Sequence, residues 1–198
     1  MSPQDVRKTL IERVIAVIAN DGLDKATTKA ITAGTGINEA YIYRYFSGKE
    51  DLLAKAFDYL DEDLYATAIK YIDVMYMTSL EYELRCRVYF SAVWECLLSN
   101  REECLAFVRY YYSTYFARNS AQTHEKRFAP LVARFKNAFK DEADVWMILN
   151  HILNVMLDFA VKVHNDQMPR DDDYAEHVFR VIYRSVEQYF RNPKESDC

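Results

Sequence analysis

The run Gly34-Thr35-Gly36-Ile37-Asn38-Glu39-Ala40-Tyr41-Ile42-Tyr43-Arg44-Tyr45-Phe46 decides the fold. Its two glycines end whatever helix precedes them, because closing two helices at a steep angle needs small residues and sometimes a positive φ. Asn38 is a good N-cap for the next helix, since its short side chain accepts from the first unpaired backbone N–H groups. The helix it opens has a split character. Ile42 and Phe46, four apart, make a core stripe with Ile37, while Tyr41, Tyr43, Arg44 and Tyr45 carry hydroxyl and guanidinium tips on other faces. Reading a DNA major groove requires such a helix: short, well anchored, with polar donors exposed near its start. A further short helix is expected just upstream, over about 27–33, so that the pair forms a helix-turn-helix.

Outward from this pair, every signal is helical. Ser2-Pro3 with Asp5 in the first turn opens the first helix. Val6, Leu10, Val14, Val17 and Ile18 then recur at helical spacing until Asn20-Asp21-Gly22 stops it. Ser47 and Glu50, three apart, form a capping box that opens a long helix over about 48–75. Further helices are expected over about 79–99, 101–117, 123–140, 142–165 and 171–190, the last two separated by Asp166-Gln167-Met168-Pro169. Asp171-Asp172-Asp173 reads as a negative cap on the final helix. Composition agrees. The 198 residues include only four glycines and four prolines, about 4% against roughly 12% in average proteins, which is too few turns for a sandwich or a doubly wound sheet. The expected fold is all-α, with about nine helices.

At 51% hydrophobic and 28% charged the chain reads as globular. Its most apolar stretch, 145–163, is broken by Asn150, His151, Asn154, Asp158 and Lys162, so no membrane span is expected. Cys86, Cys96, Cys104 and Cys198 form no CxxC pair, and the N-terminus lacks the apolar core of a signal peptide; a reduced, cytoplasmic protein is expected. The net charge of −5 is unevenly spread. Residues 1–49 carry seven Lys/Arg against five Asp/Glu, net +2, and the remainder is net −7, as suits a chain whose two parts meet different partners. GxSxG, HExxH, GxxxxGK[ST] and GxGxxG motifs are all missing, and His124, His151, His164 and His177 show no metal-ligand spacing. Neither catalysis nor a metal or cofactor is expected.

In these residues the chain resembles the TetR family of bacterial transcriptional regulators. The resemblance covers about the first 55 residues, from the Asp21-Gly22 turn through Thr27-Thr28 and Ile31, Gly36-Ile37-Asn38, and Tyr41 to Phe46. Its most specific part is Tyr43, Phe46, Lys49, Glu50 and Leu52 in their ordered spacing. The resemblance implies roles for particular residues. Thr27, Tyr43 and Lys49 match positions that hold DNA phosphate, and Thr28 matches a small buried position. Asn38, Glu39, Ala40, Tyr41 and Arg44 fall where members read bases or the adjacent backbone. Thr32 and Thr35 depart from the pattern by standing where alanine is usual. Glu39 departs too, by putting an acid where neutral or basic residues are common. Two readings of Glu39 stay open: it accepts from a cytosine amino group, or it repels phosphate and favours the helix N-terminus.

Beyond the head the residues speak through composition. Tyr110-Tyr111-Tyr112, Tyr115 and Phe116 form a dense aromatic cluster, and Trp94, Tyr111, Tyr115 and Trp146 are candidates for lining a small-molecule cavity. Ordinary core packing, with tyrosine tips reaching water, accounts for the same residues. The stretch 142–165 is apolar on nearly all sides, and 171–190 has one stripe at Ala175, Val178, Phe179, Ile182, Val186 and Tyr189, and a second at Tyr174, Val181 and Tyr183. A helix apolar all round must be buried all round, so a homodimer through residues 142–190 is expected, as the resemblance also implies. The resulting expectation is a helix-turn-helix DNA-binding domain over 1–47 and a ligand-binding and dimerisation domain over 48–198. Such a protein acts as a repressor, released from a palindromic operator in duplex DNA by an inducer. The alternative is a helical protein that binds a small molecule or a partner and has no DNA function.

Overall fold

Ten α-helices, and no strand longer than an isolated bridge, make up the described residues 3–191 of the computed structural model. Ser2, the expected cap of the first helix, and Cys198 lie outside them. The helices are α1 (Pro3–Asp21), α2 (Thr28–Thr32), α3 (Ala40–Tyr45), α4 (Lys49–Tyr71), α5 (Tyr82–Ser99), α6 (Arg101–Tyr111), α7 (Thr114–Asn119), α8 (Ala121–Phe135), α9 (Val145–His164) and α10 (Asp172–Val186). The described chain divides into two compact units. The first holds residues up to Leu64 together with Asn100–Glu125, and the second holds Tyr65–Ser99 and residues from Lys126 onward. The division passes through α4 and α8.

In the first unit α1 packs most extensively on α6. All five residues of the expected α1 stripe, Val6, Leu10, Val14, Val17 and Ile18, are buried, each aliphatic side chain contributing roughly 1.5–3 kcal/mol as an upper estimate. Arg109 on α6 donates to the Ile18 carbonyl at 2.7 Å and so satisfies one of the free acceptors at the end of α1. The expected single helix over 101–117 is two helices. Ser113 breaks it, its hydroxyl donating to the Tyr110 carbonyl at 2.6 Å and accepting from Phe116 N–H at 3.3 Å. One side chain thereby closes α6 and opens α7.

In the second unit α5 packs on α9 and α10, which also pack on each other. Asp144 accepts from Met147 N–H at 2.9 Å and sets the start of α9 three residues later than expected. Asp171 caps α10 in the same way, accepting from Tyr174 N–H at 2.8 Å. α9 is the one described helix long and apolar enough, by length and composition, to cross a membrane, a test that core helices also pass. Val145, Ile148, Met156, Leu157, Ala160 and Val163 are buried on it, while Leu149, Ile152, Leu153, Val155 and Phe159 are only half-buried and Met147 is exposed. On α10 Val178, Phe179, Ile182 and Val186 are buried and Val181 faces solvent.

Candidate nucleic-acid interface

The turn between α2 and α3 is built from side-chain hydroxyls and two glycines. Gly34 (φ +75°) and Gly36 (φ +71°) take left-handed backbone that a residue with a Cβ adopts only under strain. Thr32 donates to the Thr28 carbonyl at 3.0 Å. Thr35 donates to the Thr32 carbonyl at 2.8 Å and accepts from Ile37 N–H at 3.0 Å. The two threonines that depart from the family pattern therefore tie the turn together. Thr27 accepts from Ala30 N–H at 3.1 Å and caps α2. Asn38 caps α3, its Oδ1 accepting from Ala40 N–H and its carbonyl from Tyr41 N–H, both at 2.9 Å. Beneath the pair Ile31, Ile42 and Phe46 are buried, and Ile37 is half-buried.

The anchored face leaves the opposite one open. Thr27, Asn38, Glu39, Ala40, Tyr41, Tyr43 and Arg44 are exposed, Tyr43 at 66% and Tyr41 at 38%. Arg44 is not a loose cation: its guanidinium carbon lies 5.8 Å from the Tyr41 ring centre and 5.7 Å from that of Tyr45, and the two rings stack at 6.1 Å. Arg7 lies similarly over the Phe46 ring at 5.0 Å. Thr28, expected to be small and buried, is half-buried and donates its hydroxyl to Glu39 Oε2 across the turn. Lys49 opens α4 half-buried, its ammonium 5.8 Å from the Tyr115 ring centre. The capping box also differs from the expected one. Ser47 N–H donates to Asp51 at 2.8 Å, so Asp51 rather than Glu50 supplies the returning carboxylate.

The four candidate cavity residues fall in both units. Tyr111 and Tyr115 belong to the first, Trp94 and Trp146 to the second. Tyr111 packs on Phe107, Phe116 and His124 at 4.7–5.5 Å, and burial pushes its hydroxyl up to about 12. Trp94 is buried and stacks on Phe90 at 5.8 Å, whereas Trp146 is half-buried. Sequence reading missed the polar centre of the first unit. His124 and Asp61, both buried, meet at 2.6 Å, with the rings of Phe57, Tyr111 and Phe116 within 6.5 Å of the imidazole. No sequence rule links residues 63 apart, so no signal could have found the pair.

Two short helices closed by a glycine turn, with an anchored back and a polar, aromatic front, define a helix-turn-helix protein. Residues 10–56 match the model of the bacterial regulatory proteins of the tetR family. The chain thus carries the N-terminal DNA-binding domain of that family. The fold agrees over most of the chain. A TetR family transcription regulator from Marinobacter aquaeolei VT8 superposes with a TM-score of 0.75 at 16% identity, over 97% of this chain and 100% of that one. A second such regulator, from Shewanella sp. PV-4, gives 0.74 at 11% identity over the same shares. The multidrug binding protein EbrR, solved with imidazole, gives 0.64 at 14% identity over 96% and 98%. No curated protein matches the sequence.

Proposed function

We propose that the chain is a homodimeric transcriptional repressor, not an enzyme, acting in the cytoplasm and released from a palindromic operator by a small molecule. The observation that carries this reading is α3, with Ile42 and Phe46 buried and Tyr41, Tyr43 and Arg44 exposed on one short helix. In this reading domain 1–47 enters the major groove, with Asn38, Glu39, Ala40, Tyr41 and Arg44 at base edges. Thr27, Tyr43 and Lys49 hold phosphate, Thr27 donating the hydroxyl proton while its oxygen keeps the cap. Domain 48–198 dimerises through residues 142–190, where the half-buried apolar side chains of α9 support a partner. It also binds the inducer through aromatic residues, the candidates being Tyr111 and Tyr115 in the first unit and Trp94 and Trp146 in the second. One fold neighbour is itself a multidrug binding protein. α4 begins at Lys49 and continues unbroken to Tyr71, which makes it the natural lever. An inducer that prefers a tilted α4 shifts the population toward dimers whose recognition helices miss two grooves one turn apart.

Titration of duplex DNA from the upstream region, against a scrambled duplex at two salt concentrations, tests the reading. Lys49→Ala and Tyr43→Phe should weaken both duplexes, and the lysine variant should lower the salt slope by about 1 for each phosphate no longer neutralised. Tyr41→Ala and Arg44→Ala should cost roughly 1–3 kcal/mol per half-site on the operator alone. With a net charge of −5, non-specific affinity should be feeble. Equal losses for all four variants on both duplexes would reject the assignment.

A further inference from the structure

The Thr28–Glu39 bond turns an apparent misfit into a reading device. Glu39 is an exposed acid at the start of α3, the short helix that also carries the exposed Tyr41, Tyr43 and Arg44. A carboxylate there is a poor neighbour for phosphate. It is also not simply adrift at the helix start, because Thr28 on α2 donates its hydroxyl to Oε2. That bond fixes the side-chain direction from a second helix and leaves Oε1 to accept. Nor does the carboxylate cap α3, since Asn38 already accepts from Ala40 N–H. It is an oriented acceptor, held at one oxygen and open to a donor at the other.

The major groove offers an acceptor two donors, the N4 amino group of cytosine and the N6 amino group of adenine. Their flanks differ. Adenine N6 lies between two acceptors, its own N7 and thymine O4. Cytosine N4 has an acceptor on one side only, guanine O6, with the C5–H edge on the other. A full negative charge is repelled twice at adenine and once at cytosine.

We propose that Glu39, held by Thr28, is a specificity-determining residue that selects a C·G pair at one position of each operator half-site. The inference rests on the DNA-binding reading above and adds the base chemistry. Selection from a random duplex library tests it. Wild-type protein enriches a C·G pair at one position per half-site. Glu39→Gln keeps its single amide oxygen on Thr28 and turns an NH2 donor toward the base, so it no longer accepts from cytosine N4. It should lose the C·G preference at that position, and at no other, by about tenfold or more in relative binding. Glu39→Ala should flatten the position. Thr28→Val, which frees the carboxylate, should weaken the preference there while the other positions keep theirs. Thermal melts of the free proteins give the readout for a purely structural role. If Glu39→Gln and Glu39→Ala retain the wild-type base profile and only the melting temperature moves, Glu39 is a strut between α2 and α3 and the proposal is overturned. If the wild type enriches no sequence at all, the DNA-binding reading fails as well. Sequence enrichment with an unchanged Glu39→Gln profile overturns the base assignment alone.

Discussion

The two compact units treat their surfaces differently. In the first, every large hydrophobic side chain left exposed among the described residues is a tyrosine: Tyr41, Tyr43, Tyr59 and Tyr112. In the second, bare hydrocarbon and thioether groups also reach solvent: Met77, Leu84, Val88, Met147, Met168 and Val181. Leu10, Val14, Ala26, Ile31, Ile42, Leu52 and Leu53 in the first unit are sealed from solvent completely, as are Ile72, Leu157 and Ala160 in the second. A tyrosine ring ends in a hydroxyl that water or a polar partner can satisfy, whereas an exposed valine or methionine gains only by being covered. The first unit is finished against water. The second still has apolar surface to cover.

The sharpest break in this contrast is at the polar centre of the first unit. His124→Ala strips Asp61 of its imidazole partner inside a ring-lined interior, and loss of one member of a buried pair costs about 3–5 kcal/mol. Denaturant unfolding should show that loss; a change under about 1 kcal/mol would mean the pair adds nothing to closure. Next comes the second unit's uncovered side. Val181→Glu places a charge on a residue 54% exposed in the single chain, so folding should be nearly unchanged. The proposed dimer should nevertheless weaken tenfold or more, about 1.4 kcal/mol, as read by light scattering across a micromolar dilution series. An unmodified chain that runs as a monomer at those concentrations would remove the reason for the contrast. Ile182, although on the same helix, is no use as such a probe. It is buried within its own unit, and a charge there attacks the fold instead. The smallest effect concerns the turn. Gly36→Ala has open space for its Cβ but keeps a φ of +71°, so backbone strain alone should cost about 1–2 kcal/mol.

Not every part of the molecule is equally legible in its residues. Where one local rule acts, sequence and structure agree: the α1 stripe is buried, the glycine turn and Asn38 cap stand as expected, and Asp171 opens α10. Where two local signals compete, they differ by a turn or less. α9 starts after Asp144 and not at 142, because the short Asp144 side chain accepts from Met147 N–H, a capping geometry that aspartate favours. Ser113 splits a helix whose apolar periodicity runs through it, a cap hidden inside a good helical pattern. Asp51 takes the role expected of Glu50 for the same reason, since neighbouring acids in a first turn look alike in sequence. Contacts between distant residues are out of reach. Neither the Thr28–Glu39 bond nor the Asp61–His124 pair follows from spacing, and both depend on how helices approach after the backbone is set.

The resting place of Lys49 has a kinetic side. A lysine that swings freely in water gives up on the order of 2 kcal/mol of rotamer entropy when something pins it. Here the Tyr115 ring, 5.8 Å from the ammonium, already narrows where that charge dwells. An anion that draws the ammonium off the ring meets a side chain that has done part of its searching beforehand. Part of the ordering then happens while the chain folds, and correspondingly less is left for the moment of encounter.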